Sequence, residues 1–367
     1  ILKSSWKVIN PTFKMRENEK IYDHVYGKTF SDYKLDDIEE FIHPFEVRFK
    51  RNGLNAKELF SGKRCLDAGC GNGRGSFFML RNGANFVEML DVSDNNVESS
   101  QKFASELGFA GRINVQKSTL ESIPFKDNEF DFVWCNGVIM HTEKPNNCLA
   151  EIARVCRPQG HAWLYIYGAG GLYWKVIYQF REILSSIDVC QAIQYLKYFR
   201  YSPRYVAEFI DDWYASNLRT YTHNDVSKSF ISLGFDTPNR LAYGMDYDTS
   251  QRLELAQDNF QRKLTGEGDL RYLLQKSSNS KKEQFFLNED EKGSDYLWPN
   301  SVTELVSDAF SLIPEINFAE DWQKIAICAL IQRELRILMD RKTPLKKEEF
   351  LQIFKNLVNI RKLVELD

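Results

Sequence analysis

The chain has 367 residues, of which 43% are hydrophobic and 27% are charged, and its formal net charge is −3. This composition is typical of a folded soluble protein and excludes a disordered chain. At roughly 150 residues per domain, the length allows two domains or one enlarged domain. No run of about 18 apolar residues occurs, which excludes a membrane-spanning helix. The near balance of acidic and basic residues argues against a dedicated nucleic-acid binder.

The cysteines and the first residues both favour a cytoplasmic protein. The seven cysteines are scattered without a C-x-x-C pair, and the five histidines complete no zinc-binding pattern. We therefore expect buried thiols in a reducing compartment and no metal site. The first residues lack a charged head followed by an apolar block, so the sequence predicts no secretory signal peptide.

Four regions follow one another along the chain. Residues 1–60 are polar with aromatic clusters, and we predict that they are helical. Residues 61–167 alternate short apolar runs with helical patterns, which indicates βαβ units and a parallel sheet. Residues 168–245 begin with glycines, continue through an aromatic helical stretch and end in a strand-like run. Residues 246–367 are mostly helical by pattern, with a polar stretch that reads as a loop.

Apolar runs and turn signals within the second region predict five strands and three helices. The strands are predicted at 63–69, 85–91, 112–116, 130–136 and 161–167. The helices are predicted at 74–82, 94–107 and 145–156, and the last begins with a proline, whose missing N–H costs nothing there. A turn is predicted at 158–160, and 239–244 is predicted as a late strand of the same sheet.

The central motif is a glycine-rich loop, DAGCGNG (67–73), between the first predicted strand and the first predicted helix. Glycines let the backbone turn tightly and approach a ligand, and such loops usually hold a nucleotide cofactor at the carboxyl end of a sheet. A dinucleotide fingerprint counted from Gly69 would need glycine where Arg74 stands. Counted from Gly71, it would need glycine or alanine where Ser76 stands. No GK[ST] follows, which excludes a Walker loop.

The second predicted strand ends at Asp91, 24 residues after Asp67. A carboxylate at that point suits a bidentate hydrogen bond to two ribose hydroxyls. The alternative is an acid that is only exposed to solvent at the end of a strand. Loop and strand-end acid together favour a site for a nucleoside cofactor.

The glycine loop, the strand-end acid and the strand order resemble the class I S-adenosylmethionine-dependent methyltransferases. The resemblance covers residues 61–167 and, more loosely, 222–245. It implies S-adenosylmethionine as cofactor and S-adenosylhomocysteine as product. In that family the DxGxGxG loop wraps the amino-acid part of the cofactor, and the acid that ends the second strand holds the ribose.

Further segments match the subgroup that contains methyltransferase type 11 and the quinone C-methyltransferases. CNGVIMHT (135–142) is similar to its "GVLHHT" run, and EIARVCRPQG (151–160) to its "EIxRVLKPGG" motif. The segment that contacts adenine in the family corresponds to 117–125, where Ser118 replaces the usual acid. The resemblance implies cofactor contacts from Asp67, Gly69, Cys70, Gly71, Asn72, Gly73, Asp91, Val92, Ser93, Ser118, Thr119, Leu120, Asn136 and Gly137.

His141 is the candidate catalytic residue. It follows the fourth predicted strand, at the edge of the sheet where the cofactor is expected, and histidine titrates in the range that suits a base near pH 7. Methyl transfer from a sulfonium mainly requires positioning, and a base is needed when the acceptor is a hydroxyl, an acidic carbon or a protonated amine. The alternative is a histidine that orders the loop or the methionine part of the cofactor.

Residues 168–221 form a predicted cap with an unusual density of aromatic residues. Thirteen of the 51 residues in 171–221 are aromatic. Their rings suit a flat acceptor, a lipid-like tail or a cation, but they also suit simple packing of a helical lid. Candidate substrate residues are Tyr22 and Tyr26 from the N-terminal region and Tyr173, Trp174 and Tyr178 from the cap.

We therefore predict a Rossmann-like α/β fold with a seven-stranded, mostly parallel sheet and helices on both faces. The N-terminal helical segment (1–60) lies over the cofactor site, the core spans 61–245, and 246–367 forms a helical extension that could be a homodimer face. The predicted activity is methylation of a small molecule on O, N or C by a cytoplasmic enzyme. The alternatives are a tRNA methyltransferase and a non-catalytic cofactor-binding assembly module.

Overall fold

The computed structural model describes most of the chain. The described residues are 23–27, 29, 33–255, 265–277, 284–289, 316, 319–339, 348–349, 351–353 and 355–356. Tyr22, one of the candidate substrate residues, lies outside them.

Within the described residues, seven strands form a single sheet in the order β3-β2-β1-β4-β5-β7-β6. The strands are β1 (Arg64–Ala68), β2 (Phe86–Asp91), β3 (Ile113–Lys117), β4 (Phe130–Asn136), β5 (Cys156–Tyr167), β6 (Asn239–Arg240) and β7 (Asp269–Gln275). The first five are parallel, whereas β7 runs antiparallel to β5 and β6. This confirms the predicted seven-stranded, mostly parallel sheet.

Helices connect the strands and cover both faces of the sheet. The main described helices are α1 (Leu35–Arg51), α2 (Ala56–Phe60), α3 (Arg74–Arg81), α4 (Asp94–Glu106), α5 (Pro145–Val155), α6 (Gly171–Phe180), α7 (Val189–Tyr198), α8 (Pro203–Tyr214), α9 (His223–Ser232), α10 (Thr249–Leu255) and α11 (Asp321–Met339). Short helical turns occupy Asp23–Gly27, Ala110–Arg112, Ile139–His141 and Arg181–Leu184. The predicted helices near 74–82, 94–107 and 145–156 are thus present within one residue of their predicted ends.

The two faces of the sheet pack against different helices because side chains alternate along each strand. Leu66 points to the face that carries α5, α6, α8 and α9, and Cys65 to the face that carries α1, α3 and α4. On the second face Trp134 and Trp163 stack with ring centroids 4.8 Å apart, and Phe49 of α1 stacks on Trp163 at 5.2 Å. Helix α1 is therefore anchored to the sheet by aromatic packing.

The last strands differ from the prediction. The strand expected at 239–244 is only two residues long, and the long antiparallel strand is β7, which lies inside the segment predicted to be a helical extension. The sheet therefore includes a strand that lies beyond residue 245, where the predicted core ends. The turn predicted at 158–160 is an irregularity within β5, where Gln159 has a φ of 63° and the register with β4 shifts.

The cap and the extension pack on one another. Helix α11 lies against α6 and α7, and the hydroxyl of Tyr205 on α8 donates a hydrogen bond of 2.8 Å to the carbonyl oxygen of Ala329 on α11. The amide of Gln332 donates hydrogen bonds to the hydroxyl of Tyr173 at 2.8 Å and to Oδ2 of Asp212 at 2.7 Å. The extension is thus continuous with the cap through buried polar contacts.

Candidate functional site

A pocket with a volume of about 360 Å³ opens at the carboxyl ends of the parallel strands. Residues from the glycine loop, from the ends of β2, β3 and β4, from the N-terminal segment and from α8 line it. They are Val25, Tyr26, Thr29, Phe41, Gly69, Gly71, Arg74, Asp91, Val92, Asn96, Ser118, Thr119, Leu120, Glu121, Asn136, Gly137, Val138, His141, Thr142, Glu143, Lys144, Ala207, Glu208, Ile210 and Asp211. This is where open parallel sheets bind ligands.

The glycine loop has a backbone that only glycine adopts easily. Gly69 has a φ of 82°, and a Cβ built there would lie 2.5 Å from Cγ2 of Val138. Gly71 also has a positive φ, 55°. The backbone nitrogens of Gly69 and Cys70 both donate to the carbonyl oxygen of Leu90, at 2.8 and 2.9 Å. The loop is therefore fastened to the end of β2 with its backbone open to the pocket.

Asp91 is held in place by three donors. Its Oδ2 accepts a hydrogen bond of 2.8 Å from the backbone nitrogen of Gly71. Its Oδ1 accepts from the backbone nitrogen of Ser93 at 3.0 Å and from Nδ2 of Asn96 at 3.1 Å. Burial raises the pKa of this carboxyl above its ordinary value, while these hydrogen bonds act in the opposite direction. The carboxylate thus faces the pocket in one fixed orientation.

Asp67, the first residue of the motif, points away from the pocket. Its Oδ2 accepts a hydrogen bond of 2.7 Å from Oγ of Ser76. The side chain is 2% exposed, and burial raises the pKa of Asp67 to about 7. The residue braces the loop against α3 rather than lining the site.

The other predicted cofactor residues divide into two groups. Those that line the pocket are Gly69, Gly71, Asp91, Val92, Ser118, Thr119, Leu120, Asn136 and Gly137. Those that lie behind the lining are Asp67, Cys70, Asn72, Gly73 and Ser93, and Oγ of Ser93 caps α4 by accepting from the backbone nitrogen of Asn96 at 3.3 Å. The individual contacts of both groups with a cofactor stay predictions.

His141 lies in the pocket wall, and both of its ring nitrogens face oxygen atoms. Its Nδ1 is 2.9 Å from the backbone oxygen of Asn217. Its Nε2 is 3.4 Å from Oδ1 of Asp211 on α8. The hydroxyl of Tyr167 donates to the other carboxylate oxygen of Asp211. The ring is therefore fixed between the cap and the sheet, with only 4% of the residue exposed.

The predicted substrate residues are only partly brought to the pocket. Tyr26 lines it, with its ring centroid 5.8 Å from that of His141. Tyr173, Trp174 and Tyr178 pack within the cap instead, and the hydroxyl of Tyr178 donates to the carbonyl oxygen of Leu218 at 2.6 Å. Packing of a helical lid therefore accounts for these three aromatic residues.

The sequence did not predict two parts of the pocket wall, which are one face of α8 and the side chain of Arg74 after the glycine loop. Ala207, Glu208, Ile210 and Asp211 occupy one face of α8. Positions three and four apart share a helix face, so the spacing of these residues indicates that they lie together. Arg74, which begins α3, also lines the pocket with its guanidinium 5.4 Å from the ring centroid of Phe41, and burial lowers the pKa of this side chain.

The residues present fit a nucleoside cofactor with an amino-acid tail. The glycine backbone leaves room for close approach, and Asp91 presents a fixed acceptor for ribose hydroxyls. Beside it, Oδ1 of Asn96 is buried at the pocket wall and accepts no hydrogen bond from the described residues, so it is a candidate second acceptor for a ligand.

The described residues contain neither a cluster of metal ligands nor a membrane-spanning helix. No three His, Cys, Asp or Glu side chains in the described ranges come together as metal ligands. None of the helices that the structure describes is long and apolar enough to cross a membrane.

Comparison with known proteins gives a family for the central sheet. Residues 66–164 match the family model for a methyltransferase domain. A glycine/sarcosine/dimethylglycine N-methyltransferase from Actinopolyspora halophila is 28% identical over 40% of the chain and 26% of the relative. A 27-O-demethylrifamycin SV methyltransferase from Amycolatopsis mediterranei is 25% identical over 38% of the chain and 52% of the relative.

The name of a third relative indicates that it acts on RNA. The tRNA U34 carboxymethyltransferase from Campylobacter curvus is 33% identical over 36% of the chain and 43% of the relative. The chain thus spans about a quarter to a half of the length of these curated relatives.

Proposed function

Since residues 66–164 form a methyltransferase domain of the class I S-adenosylmethionine-dependent type, we propose that the chain methylates a small-molecule acceptor. S-adenosylmethionine is the methyl donor, and S-adenosylhomocysteine is the product. The observation that carries the proposal is the pocket in which the glycine loop and the fixed carboxylate of Asp91 meet the acidic face of α8.

The charge of the pocket wall favours a small molecule over RNA. Glu121, Glu143, Glu208 and Asp211 line it, and Arg74 and Lys144 are the cations among the described lining residues. A nucleic-acid site normally presents Lys and Arg to the phosphate backbone, whereas acids at this wall repel phosphates. The net charge of −3 agrees with this preference.

The residues of the chain position the donor. When bound, the cofactor supplies an activated methyl group on a sulfonium. Asp91 accepts hydrogen bonds from the ribose hydroxyls, and the backbone of Gly69 and Gly71 lets the amino-acid part approach closely. Ser118 to Leu120 and the Asn136–Gly137 turn border the remaining part of the pocket. Because methyl transfer depends mainly on alignment, these contacts supply most of what the chemistry needs.

His141 is proposed as the base that removes a proton from the acceptor. Its Nδ1 faces a carbonyl oxygen, and in the tautomer that carries its proton on Nδ1, Nε2 is the atom able to accept one. The competing role is structural, because the same contact with Asn217 orders the loop that joins the cap to α9.

A ligand test separates the proposed cofactor from a nicotinamide. Millimolar S-adenosylhomocysteine should raise the midpoint of thermal unfolding of the full chain, because a ligand that binds only the folded state stabilises it, and NAD should not. Absence of any shift with S-adenosylhomocysteine would contradict the proposal. A shift without turnover on any acceptor would favour the non-catalytic assembly module.

Turnover identifies the class of acceptor. Formation of S-adenosylhomocysteine is measured with S-adenosylmethionine and a panel of small amines, alcohols and phenols, and separately with tRNA. The proposal expects turnover with a member of the small-molecule panel, whereas turnover with tRNA alone would favour the tRNA methyltransferase suggested by the Campylobacter relative. A cytoplasmic location and a homodimer through 246–367 stay predictions.

The variant His141→Asn tests the base. The asparagine amide can still donate to the carbonyl of Asn217, but it lacks the nitrogen that faces Asp211. A base role predicts that turnover falls about 100-fold with the affinity for S-adenosylhomocysteine kept. A purely structural role predicts that turnover survives, because the ordering contact is preserved.

A further inference from the structure

The carboxylate of Asp91 has little hydrogen-bonding capacity left for a ligand. A carboxylate offers about four lone-pair sites on its two oxygens. Oδ1 accepts from the backbone nitrogen of Ser93 at 3.0 Å and from Nδ2 of Asn96 at 3.1 Å, and Oδ2 accepts from the backbone nitrogen of Gly71 at 2.8 Å. The backbone N–H of Val92 is a further, weaker donor to the same carboxyl. At most one site on Asp91 is therefore open to a ribose hydroxyl.

A second acceptor, Oδ1 of Asn96, lies beside that carboxylate. Asn96 is only 1% exposed, yet it lines the pocket. Because the carboxylate of Asp91 accepts at their contact, the amide nitrogen of Asn96 faces Asp91, and this fixes where the amide oxygen points. That oxygen accepts no hydrogen bond from the residues that the structure describes. A buried acceptor without a donor destabilises the folded chain, so a ligand that donates at this place gains affinity.

The spacing of the two acceptors suits two hydroxyls on adjacent carbons. The nitrogen and the oxygen of an amide share one carbon, so Oδ1 of Asn96 lies within about 5.5 Å of Oδ1 of Asp91. Adjacent ribose hydroxyls, each at an ordinary O–H···O distance of about 2.8 Å from its acceptor, can bridge such a gap. The amino group of the adenine is the competing donor. The ribose is favoured because Asn96 is in direct contact with the carboxylate that is proposed to hold it.

We propose that Asp91 and Asn96 divide the ribose of the cofactor between them, with one hydroxyl donating to the carboxylate and the adjacent hydroxyl donating to Oδ1 of Asn96. This inference rests on the proposed function and gives that site a second ribose-binding residue. Nδ2 of Asn96 holds the carboxylate while Oδ1 binds the sugar, so one side chain serves both purposes. A nucleoside that lacks either hydroxyl leaves one of the two acceptors without its donor, so the pair selects a ribonucleoside.

The test uses S-adenosylhomocysteine and three of its analogues, without any methyl acceptor. Two analogues lack the 2′ or the 3′ hydroxyl, and the third carries an oxygen in place of the adenine amino group. Titration calorimetry measures their affinities for the wild type, for Asn96→Ala and for Asn96→Leu, which keeps the volume of the side chain without its polar groups. The control is Ser100→Ala. Ser100 is buried on the same helix and holds the glycine loop, because its Oγ donates a hydrogen bond of 2.8 Å to the carbonyl oxygen of Gly71.

The expected result is that the wild type binds each deoxy analogue more weakly than S-adenosylhomocysteine. The loss should be about 10- to 100-fold for the hydroxyl on the charged Asp91 and about 3- to 10-fold for the hydroxyl on the neutral Asn96. In both Asn96 variants the smaller of the two losses should disappear, while the larger remains. Ser100→Ala should keep both losses, because it removes a support of the loop without touching the sugar.

Several results would overturn the role of Asn96. Two losses that stay unchanged in its variants would assign both hydroxyls to Asp91. Losses that shrink in parallel, or a complete loss of S-adenosylhomocysteine binding, would mean that Asn96 only positions the carboxylate. A loss with the third analogue that disappears in the variants would assign Oδ1 to the adenine, and equal binding of both deoxy analogues and S-adenosylhomocysteine by the wild type would mean that neither hydroxyl is held.

The wild type separates these results from a failure of the proposed function. In each of them it still binds S-adenosylhomocysteine, so the methyltransferase proposal survives. If the wild type binds neither S-adenosylhomocysteine nor its analogues, the proposed function itself fails.

Discussion

The backbone nitrogen of Gly71 donates a hydrogen bond of 2.8 Å to Oδ2 of Asp91, so the loop after β1 and the acid that ends β2 form one unit. The loop cannot shift without moving the carboxylate, and the carboxylate cannot turn without releasing the loop. This contact explains why two motifs that are 20 residues apart act on the same ligand.

The variant Asp91→Ala should lower the affinity for S-adenosylhomocysteine by about 10- to 100-fold, because it removes charge-assisted hydrogen bonds to the ribose. Titration calorimetry measures the effect. The matched control is Asp94→Ala, since Asp94 is close in sequence but exposed and paired with Lys117 at 2.7 Å. Equal affinities for Asp91→Ala and the wild type would reject the ribose role of Asp91.

Gly69→Ala should cost more stability than another glycine substitution at a similar φ. Gly69 and Gly108 have φ values of 82° and 76°, but only at Gly69 does a Cβ meet a close neighbour, Val138. Gly108→Ala therefore measures the backbone strain alone, about 1–2 kcal/mol. Gly69→Ala should add about 1–3 kcal/mol from overlap and should also weaken binding of S-adenosylhomocysteine. Urea denaturation of both variants gives the comparison, and equal losses would contradict it.

The sequence could predict the glycine loop and its acid because their chemistry is local. The positive φ of Gly69 and the turn after β1 are encoded in consecutive residues, and Asp91 ends its own apolar run. Strand β7 shows the opposite case. Its central Arg271 resembles a surface residue in the sequence but is 5% exposed. It is paired with Asp248 at 3.3 Å and with Asp269 at 3.1 Å, and these partners become evident only in the fold.

The acceptor side of the site depends even more on tertiary structure. Asp211 approaches His141, 70 residues earlier, only because α8 folds back over the carboxyl end of β4. Nothing in the local pattern of α8 distinguishes Asp211, which faces the pocket, from Asp212, which faces α11. Aromatic density predicted a helical cap, but it did not predict which of its residues reach the ligand.

Helix α11 should stabilise the cap through Gln332. Gln332 is fully buried, and its amide donates to both Tyr173 and Asp212. The variant Gln332→Leu removes this donor. We expect a loss of about 1–3 kcal/mol in the free energy of unfolding, because the buried carboxylate of Asp212 loses one of its two donors. The control Arg333→Ala lies at an exposed position of the same helix. Equal stability of the two variants in urea denaturation would show that α11 does not hold the cap in this way.

Asp212 should make stability fall as the pH rises from about 4 to 7. Burial raises the pKa of Asp212 to about 7, whereas an unfolded aspartate titrates near 3.8. Between these values the folded state binds the extra proton, so the free energy of unfolding falls by up to about 1.4 kcal/mol per pH unit for this group.

The variant Asp212→Asn tests this slope, since an amide oxygen can still accept from Tyr173 and Gln332 but does not titrate. Urea denaturation between pH 5 and 8 should show a shallower decline for the variant than for the wild type. Part of the slope should remain, because burial also raises the pKa of Asp67 to about 7. Asp246→Asn, whose side chain is 91% exposed, should follow the wild-type profile. An unchanged slope in Asp212→Asn would mean that this carboxyl is ionised in the folded protein, balanced by Arg336 and its other neighbours.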